Sequence, residues 1–106
     1  MSKIRVTVVK RELFTDIVDA HWGPKKSGRE LSPCEILREG QSFIVEDPPF
    51  EMPEGFCSMA WADVHGDIEM MLYGPPDYWK EKPFLVCCTD GFRPVVFTIE
   101  AVPEGE

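Results

Sequence analysis

Cys34, Cys57 and the adjacent pair Cys87–Cys88 are the residues of this chain best suited to chemistry, and all four stand beside turn signals or element boundaries. They occur in Ser32-Pro33-Cys34, in Pro53-Glu54-Gly55-Phe56-Cys57 and in Cys87-Cys88-Thr89-Asp90-Gly91. Ends of strands and helices meet at the rims of a small domain, so thiols distant in sequence can share one rim. Thiolates gathered there would ligate a soft metal, Zn or an Fe–S cluster, or exchange disulfides. No C-x₂₋₄-C pair of the kind that zinc and cluster sites use is present. Free Cys also behaves as a small buried hydrophobe. Reduced, packed thiols without a cofactor are therefore the first expectation, with a metal or cluster second and redox or nucleophilic chemistry third.

Strand geometry divides the adjacent pair, because neighbouring strand residues face opposite sides of a sheet. Cys88 falls with Phe84, Val86, Val95, Phe97 and Ile99, the clearly apolar side, and Cys87 falls with Leu85 and Val96. The expected constellation is Cys34, Cys57 and Cys88. Cys87 lies apart, and no vicinal disulfide forms, since the two Cβ atoms diverge. Cys57 directly precedes a helix, whose N-terminal dipole favours a thiolate. Arg93, expected opposite Cys88, would act likewise, and Trp61 and Asp90 complete the expected neighbourhood.

Other chemical groups read as ordinary surface or core. His65 sits beside a core-facing position and is expected at the surface; His21 ends an apolar stripe and is expected to be packed. Neither has a Ser, Cys or Asp at a spacing that suggests a triad. Asp63 and Asp67 form an i, i+4 carboxylate pair, read as a solvated helix face. Lys25, Lys26 and Arg29 make the only basic cluster, read as a solvated loop. No phosphate-binding glycine pattern occurs.

The elements that must position these residues follow from periodicity. Ile4, Val6 and Val8 alternate with Arg5, Thr7 and Val9 in a half-buried strand over 3–10. Leu13 to Trp22 carries a short helical stripe, followed by a polar loop over 23–30. Leu31 to Leu37 reads as a turn bearing Cys34, and Gln41 to Glu46 as a second strand. Pro48, Pro49 and Pro53 force an extended loop. From Ser58 to Tyr73 the period becomes helical, with Trp61, Val64, Ile68, Met71 and Leu72 on one face, ended by Gly74-Pro75-Pro76. Phe84–Thr89 and Val95–Val102 form a hairpin. A four-residue loop, Thr89 to Phe92, keeps Pro94 off a ladder hydrogen bond and sets Cys88 opposite Arg93, Val86 opposite Val95 and Phe84 opposite Phe97. The tail from Pro103 to Glu106 reads as frayed. The fold class is α+β: a small antiparallel sheet, one main helix over 58–73 packed on one face, and a short helix after strand one.

The 106 residues suit a single domain, 1–106, and 43% hydrophobic content with 3 Trp and 7 Phe is too high for disorder. Nineteen acidic against eleven basic residues give a net charge of −8, which argues against nucleic acid and anionic membrane as partners. No apolar stretch approaches the ~18 residues of a membrane span, and no basic leader precedes an apolar run. A cytoplasmic location with reduced thiols is expected.

Pro53-Glu54-Gly55-Phe56-Cys57 with Ala60-Trp61 and Asp63, together with Cys88-x-Asp90-Gly91-x-Arg93-Pro94-Val95-x-Phe97, resembles a family of small stand-alone uncharacterised prokaryotic proteins without assigned activity. The strand over 3–10 and Glu39-Gly40-Gln41-x-Phe43 extend the likeness over nearly the whole chain. The resemblance implies that Cys34, Cys57 and Cys88 are the recurring thiols and Trp61 the recurring aromatic. Ser58-Met59 departs from the Pro-Trp or similar aromatic common there, which weakens the case for an aromatic-lined pocket. The resulting expectation is a small, non-catalytic cytosolic domain with a three-thiol site, packed or holding a soft metal. Its rivals are a thiol-dependent redox enzyme and a cofactor-free homo-oligomeric interaction module. A two-fold homodimer is expected, because one main helix leaves Val9, Ile44, Leu85, Cys87 and Val96 uncovered on the other sheet face. The alternative is that the Leu13–Trp22 segment folds over that face.

Overall fold

The computed structural model describes residues 2–22, 32–74 and 84–103. The basic cluster of Lys25, Lys26 and Arg29, its loop, Leu31, the Pro75-Pro76 stop and the last three residues of the tail lie outside the described residues. Alternation of branched apolar residues builds β1 (Ser2–Arg11), β2 (Ser42–Asp47), β3 (Phe84–Cys87) and β4 (Val95–Ala101). These strands form one antiparallel sheet in the order β2-β1-β4-β3. A short helical segment, α1, follows β1: Thr15–Ile17 are α-helical and Val18–Trp22 continue as a π-helix. The main helix, α2, spans Ser58–Tyr73. It carries the chain from β2 at one sheet edge to β3 at the other.

Gly40 makes the entry to β2 possible. Its φ of 85° lies in the region that favours glycine, and its N–H donates to the Val8 carbonyl at 2.8 Å. At the far end of α2, Gly74 (φ 140°) returns its N–H to the Met70 carbonyl at 3.0 Å.

The core lies between α2 and one sheet face. Ile4, Val6, Val8, Phe43, Val45, Val95, Phe97 and Ile99 come from the sheet, and Ala60, Val64, Ile68 and Met71 from the helix. Val64, Ile68 and Met71 of the expected stripe face the sheet and Ala60 joins them, while Trp61 and Leu72 flank the stripe half-buried. Phe56 fills the place expected of Trp61. Its buried ring lies 5.4 Å from Phe97 and 4.9 Å from Phe43, filling the space under the first turn and leaving Trp61 edge-on beside it at 6.2 Å. Leu37 closes the core from the loop before β2.

Two expectations about register are corrected. Phe84 pairs with Ile99, Val86 with Phe97 and Cys87 with Val96, a shift of two residues from the expected hairpin. Asp90 explains it, because its Oδ1 accepts the N–H groups of Phe92 and Arg93 at 3.0 and 3.1 Å and draws Arg93 into the turn. Cys88 instead donates its N–H to Val95. A two-residue shift preserves which side chains share a face. The second correction is a β-bulge between Val8 and Lys10, after which Lys10 pairs with Val96 and Arg11 with Val95. The extra residue turns Arg11 toward the helix-covered side, where simple alternation would have placed Lys10.

The opposite face is left open. Val9, Ile44 and Leu85 are 42%, 41% and 62% exposed, and Cys87 is exposed. The α1 segment reaches toward the β3–β4 loop rather than across this face, with Phe14 donating its N–H to the Phe92 carbonyl and Trp22 edge-on to Phe92 at 5.6 Å. Among the described residues, no helix is long and apolar enough to cross a membrane.

Fully buried Phe97 touches sheet and helix layers together. Its replacement by Ala is expected to cost about 3–5 kcal/mol in urea denaturation. Trp61→Ala, which removes a ring only partly buried at the edge of the core, is expected to cost less. Equal losses would place the centre of the core under Trp61 instead.

Candidate functional site

Three chain segments end at one rim, and each brings a thiol. Cys34 stands in the loop before β2, and Arg11 fixes that loop: its Nη1 donates to the Cys34 carbonyl at 2.7 Å and to the Leu37 carbonyl at 3.4 Å. Its Nε lies 3.7 Å from a Glu39 oxygen, an ion pair rather than a hydrogen bond, and that nitrogen is buried without a hydrogen-bond partner. Cys57 is the N-cap of α2 in extended conformation (φ −82°, ψ 126°), and its carbonyl accepts the Trp61 N–H at 2.8 Å. Its side chain makes no capping bond and lies buried. Cys88 follows β3, half-buried. There the Val95 N–H donates to Cys88 Sγ at 3.3 Å, so a sulfur replaces a carbonyl as the ladder acceptor.

Cys34, Cys57 and Cys88 line one cleft of about 280 Å³, and Cys87 is not part of it. Ile36, Met59 and Ala60 form its apolar wall, and Asp63, Thr89, Asp90 and Arg93 its polar rim. All four thiols of the chain are free. Among the described residues, no group of three or more His, Cys, Asp or Glu stands close enough together to hold a metal ion. The three thiols thus share a cavity, not a ready coordination sphere.

The rim is organised by carboxylates. Asp63 accepts the Thr89 N–H on Oδ2 at 2.9 Å and the Thr89 hydroxyl at 3.1 Å on both oxygens. The expectation of a merely solvated Asp63–Asp67 face is therefore corrected at Asp63, which ties α2 to the β3–β4 loop. Asp90 accepts two backbone N–H groups on Oδ1 and the Arg93 guanidinium on Oδ2 at 3.2 Å. Partial burial pushes its carboxyl up, but the bonds from Phe92, Arg93 N–H and the Arg93 side chain outweigh it and hold the group below the usual carboxylate range.

Of the expected neighbours, Asp90 and Arg93 line the cleft and Trp61 does not. Trp61 belongs to an aromatic row outside it, 5.4 Å from Phe50 and 5.9 Å from His65. His65 Nδ1 lies 3.0 Å from the Trp61 carbonyl, which can only accept, so that nitrogen carries the proton. His65 is at the surface as expected; His21 is exposed, not packed. Tyr73, at the far end of α2, donates its hydroxyl to Asp47. That bond and the neighbouring carboxylate charge raise its pKa above the ordinary phenol value. Sequence reading missed Ile36, Met59, Asp63 and Thr89 as cleft residues and Arg11 as its anchor. The Pro33-Cys34 turn signal pointed to the loop but not to what holds it.

Comparison with family models, with curated proteins and with solved structures returns no match for this chain.

Because its folded-state pKa is depressed, Asp90 stabilises the fold in its charged form. That contribution is present above the unfolded carboxyl value of about 3.9 and is lost as pH falls through the folded value. Asp90→Asn is expected to lower the melting temperature at neutral pH, with the gap to the parent protein closing below about pH 4. A gap independent of pH would show that the charge of Asp90 contributes nothing.

Proposed function

We propose that this chain is a non-catalytic binding domain whose functional centre is the cleft of Cys34, Cys57 and Cys88, taking a small thiol-seeking ligand. One observation carries the reading: thiols separated by 23 and 31 sequence positions line a single cavity, while the neighbouring Cys87 points to the opposite face. A chain that merely packed its cysteines would have no need to gather them around open space. A reducing, cytoplasmic setting suits four free thiols.

A soft metal, Zn or an Fe–S cluster, is the second reading. It is favoured by the Val95 N–H aimed at Cys88 Sγ, the kind of bond that tunes metal-bound sulfur. It requires the sulfurs to draw closer together. Redox exchange is the rival from another class, favoured by the partial exposure of Cys34 and Cys88; neither His21 nor His65 lines the cleft to serve as its base.

Phenylarsine oxide condenses with two thiols and releases water, so it reports thiols able to act together. One equivalent is expected to bind per chain and raise the melting temperature. Cys87→Ser should leave this intact, and serine at any two of Cys34, Cys57 and Cys88 should abolish it. Loss with Cys87→Ser would assign the binding to the vicinal pair and reject the cleft. Elemental analysis of anaerobically purified protein distinguishes the metal reading, which demands stoichiometric zinc or iron.

The domain works as a two-fold homodimer through its open sheet face. Support comes from the exposed Val9, Ile44 and Leu85 and from charge. Lys3–Glu46 and Arg5–Glu100 pair across strands at 3.9 Å each, so four charges on that face cancel in pairs on a chain of net charge −8. A second copy therefore meets less repulsion there than the acidic excess of the chain would otherwise impose. Sedimentation at micromolar concentration should give twice 12.1 kDa, and Leu85→Lys should return the monomer. A monomeric parent protein would reject the dimer.

A further inference from the structure

Every carboxylate oxygen in the cleft is already engaged. Both oxygens of Asp63 accept from Thr89, and both oxygens of Asp90 accept from its own turn and from Arg93. The donors are not used up. Arg93 spends only its Nε on Asp90, at 3.2 Å, and its terminal amino groups have no partner among the described residues. Beside it, the first turn of α2 enters the cleft wall at Met59 and Ala60 without a side-chain cap. The strong unspent donors of the lining are thus N–H groups, set in a cleft that thiols and apolar groups also line.

We propose that the ligand of this cleft is a small carboxylate-bearing molecule. Its carboxylate sits on the terminal amino groups of Arg93, and its thiol-seeking or apolar part lies against Cys34, Cys57 and Cys88. The inference rests on the reading of the cleft as a binding site and adds the class of ligand. Asp90 serves as the positioning residue: by holding Nε it fixes the plane of the guanidinium, so the outer edge presents a preset fork, which matches a carboxylate in a way a lysine cannot. The Asp90–Arg93 pair is neutral overall, so recognition comes from donor geometry and only modestly from field strength.

Iodoacetate and iodoacetamide test this on the intact reduced protein, since they alkylate thiols alike and differ in a carboxylate. Mass spectrometry reads the rate at each cysteine, with exposed Cys87 as the internal reference on the opposite face. The iodoacetate-to-iodoacetamide ratio is expected to be about two- to fivefold higher at Cys88 and Cys34 than at Cys87, the factor a partly exposed charge interaction supplies. Arg93→Gln should bring it to the Cys87 value, and Arg93→Lys should leave part of it. Should Arg93→Gln fail to melt cooperatively, benzoate on the parent protein replaces it: benzoate should slow iodoacetamide at Cys88 and leave Cys87 unchanged. Equal ratios at all sites, a high ratio surviving Arg93→Gln, or no protection by benzoate overturns the carboxylate assignment alone. Cleft thiols that react with neither reagent in the folded chain overturn the binding-site reading as well.

Discussion

One extra residue in β1 decides what anchors the loop that carries Cys34. Without the bulge between Val8 and Lys10, alternation would send Lys10 toward α2 and Arg11 to the open face. With it, Arg11 turns inward and takes hold of the Cys34 and Leu37 carbonyls. A hydrogen bond to a charged donor contributes about 1.5–3 kcal/mol, more than a neutral one, and here it is spent on an irregular loop without ladder bonds of its own. The arrangement has a cost, since Arg11 Nε is buried beside Glu39 at ion-pair distance without a hydrogen bond. The same shift sets the strand's continuation. Glu12 and Phe14 donate to the Pro94 and Phe92 carbonyls at 2.9 Å each, so β1 grips the β3–β4 loop that follows Cys88. Two of the three thiol-bearing segments are thereby referenced to a single strand.

The third segment is referenced to the core. Phe56 occupies the space beneath the first turn of α2, against Phe43 and Phe97, which places Cys57 at the helix N-cap beside the rim. Asp63, less than two turns further, binds Thr89 and closes the circuit back to the Cys88 loop. Each cysteine is thus carried by backbone that a charged or aromatic side chain holds in place. The thiol groups themselves remain largely uncommitted, the exception being the bond from Val95 to Cys88 Sγ. The frame around the cleft is thus held by hydrogen bonds and aromatic packing, not by the thiols themselves.

What the sequence revealed and what it hid follow one rule. Properties that depend on parity survive errors; properties that depend on absolute register do not. The separation of Cys87 from Cys88, and the company of Cys88 with Phe84 and Val86, hold although the hairpin is shifted by two residues, because a shift of two leaves every side chain on its face. The span of α2 was legible from Gly74 and the change of period at Ser58. So was its buried face of Val64, Ile68 and Met71; the place of Trp61 at the flank was not, since Ala60 and Trp61 are both apolar and only Phe56, outside the helix, decides between them. The bulge was hidden for a harder reason. Val8-Val9-Lys10-Arg11 contains no glycine, proline or asparagine to mark it, and it is favoured by what Arg11 reaches 23 and 26 residues away in sequence, not by local preference.

That distinction bears on the two sides of the sheet. On the helix side, polar groups pair with backbone or with each other across elements, and the pairing holds loops: Arg11 to Cys34, Asp63 to Thr89, Asp90 to its own turn. On the open side, the charged pairs Lys3–Glu46 and Arg5–Glu100 run between neighbouring strands and are more than a third exposed. Surface ion pairs of that sort contribute little to stability. They do cancel charge on a face that carries Val9, Ile44 and Leu85, on a chain whose acidic excess would otherwise keep copies apart. Polar side chains on one face hold a site in position, and on the other they leave a surface open to self-association. Replacing a pair on the open face should therefore alter association before stability, while replacing Arg11 should disturb the cleft before it disturbs the sheet.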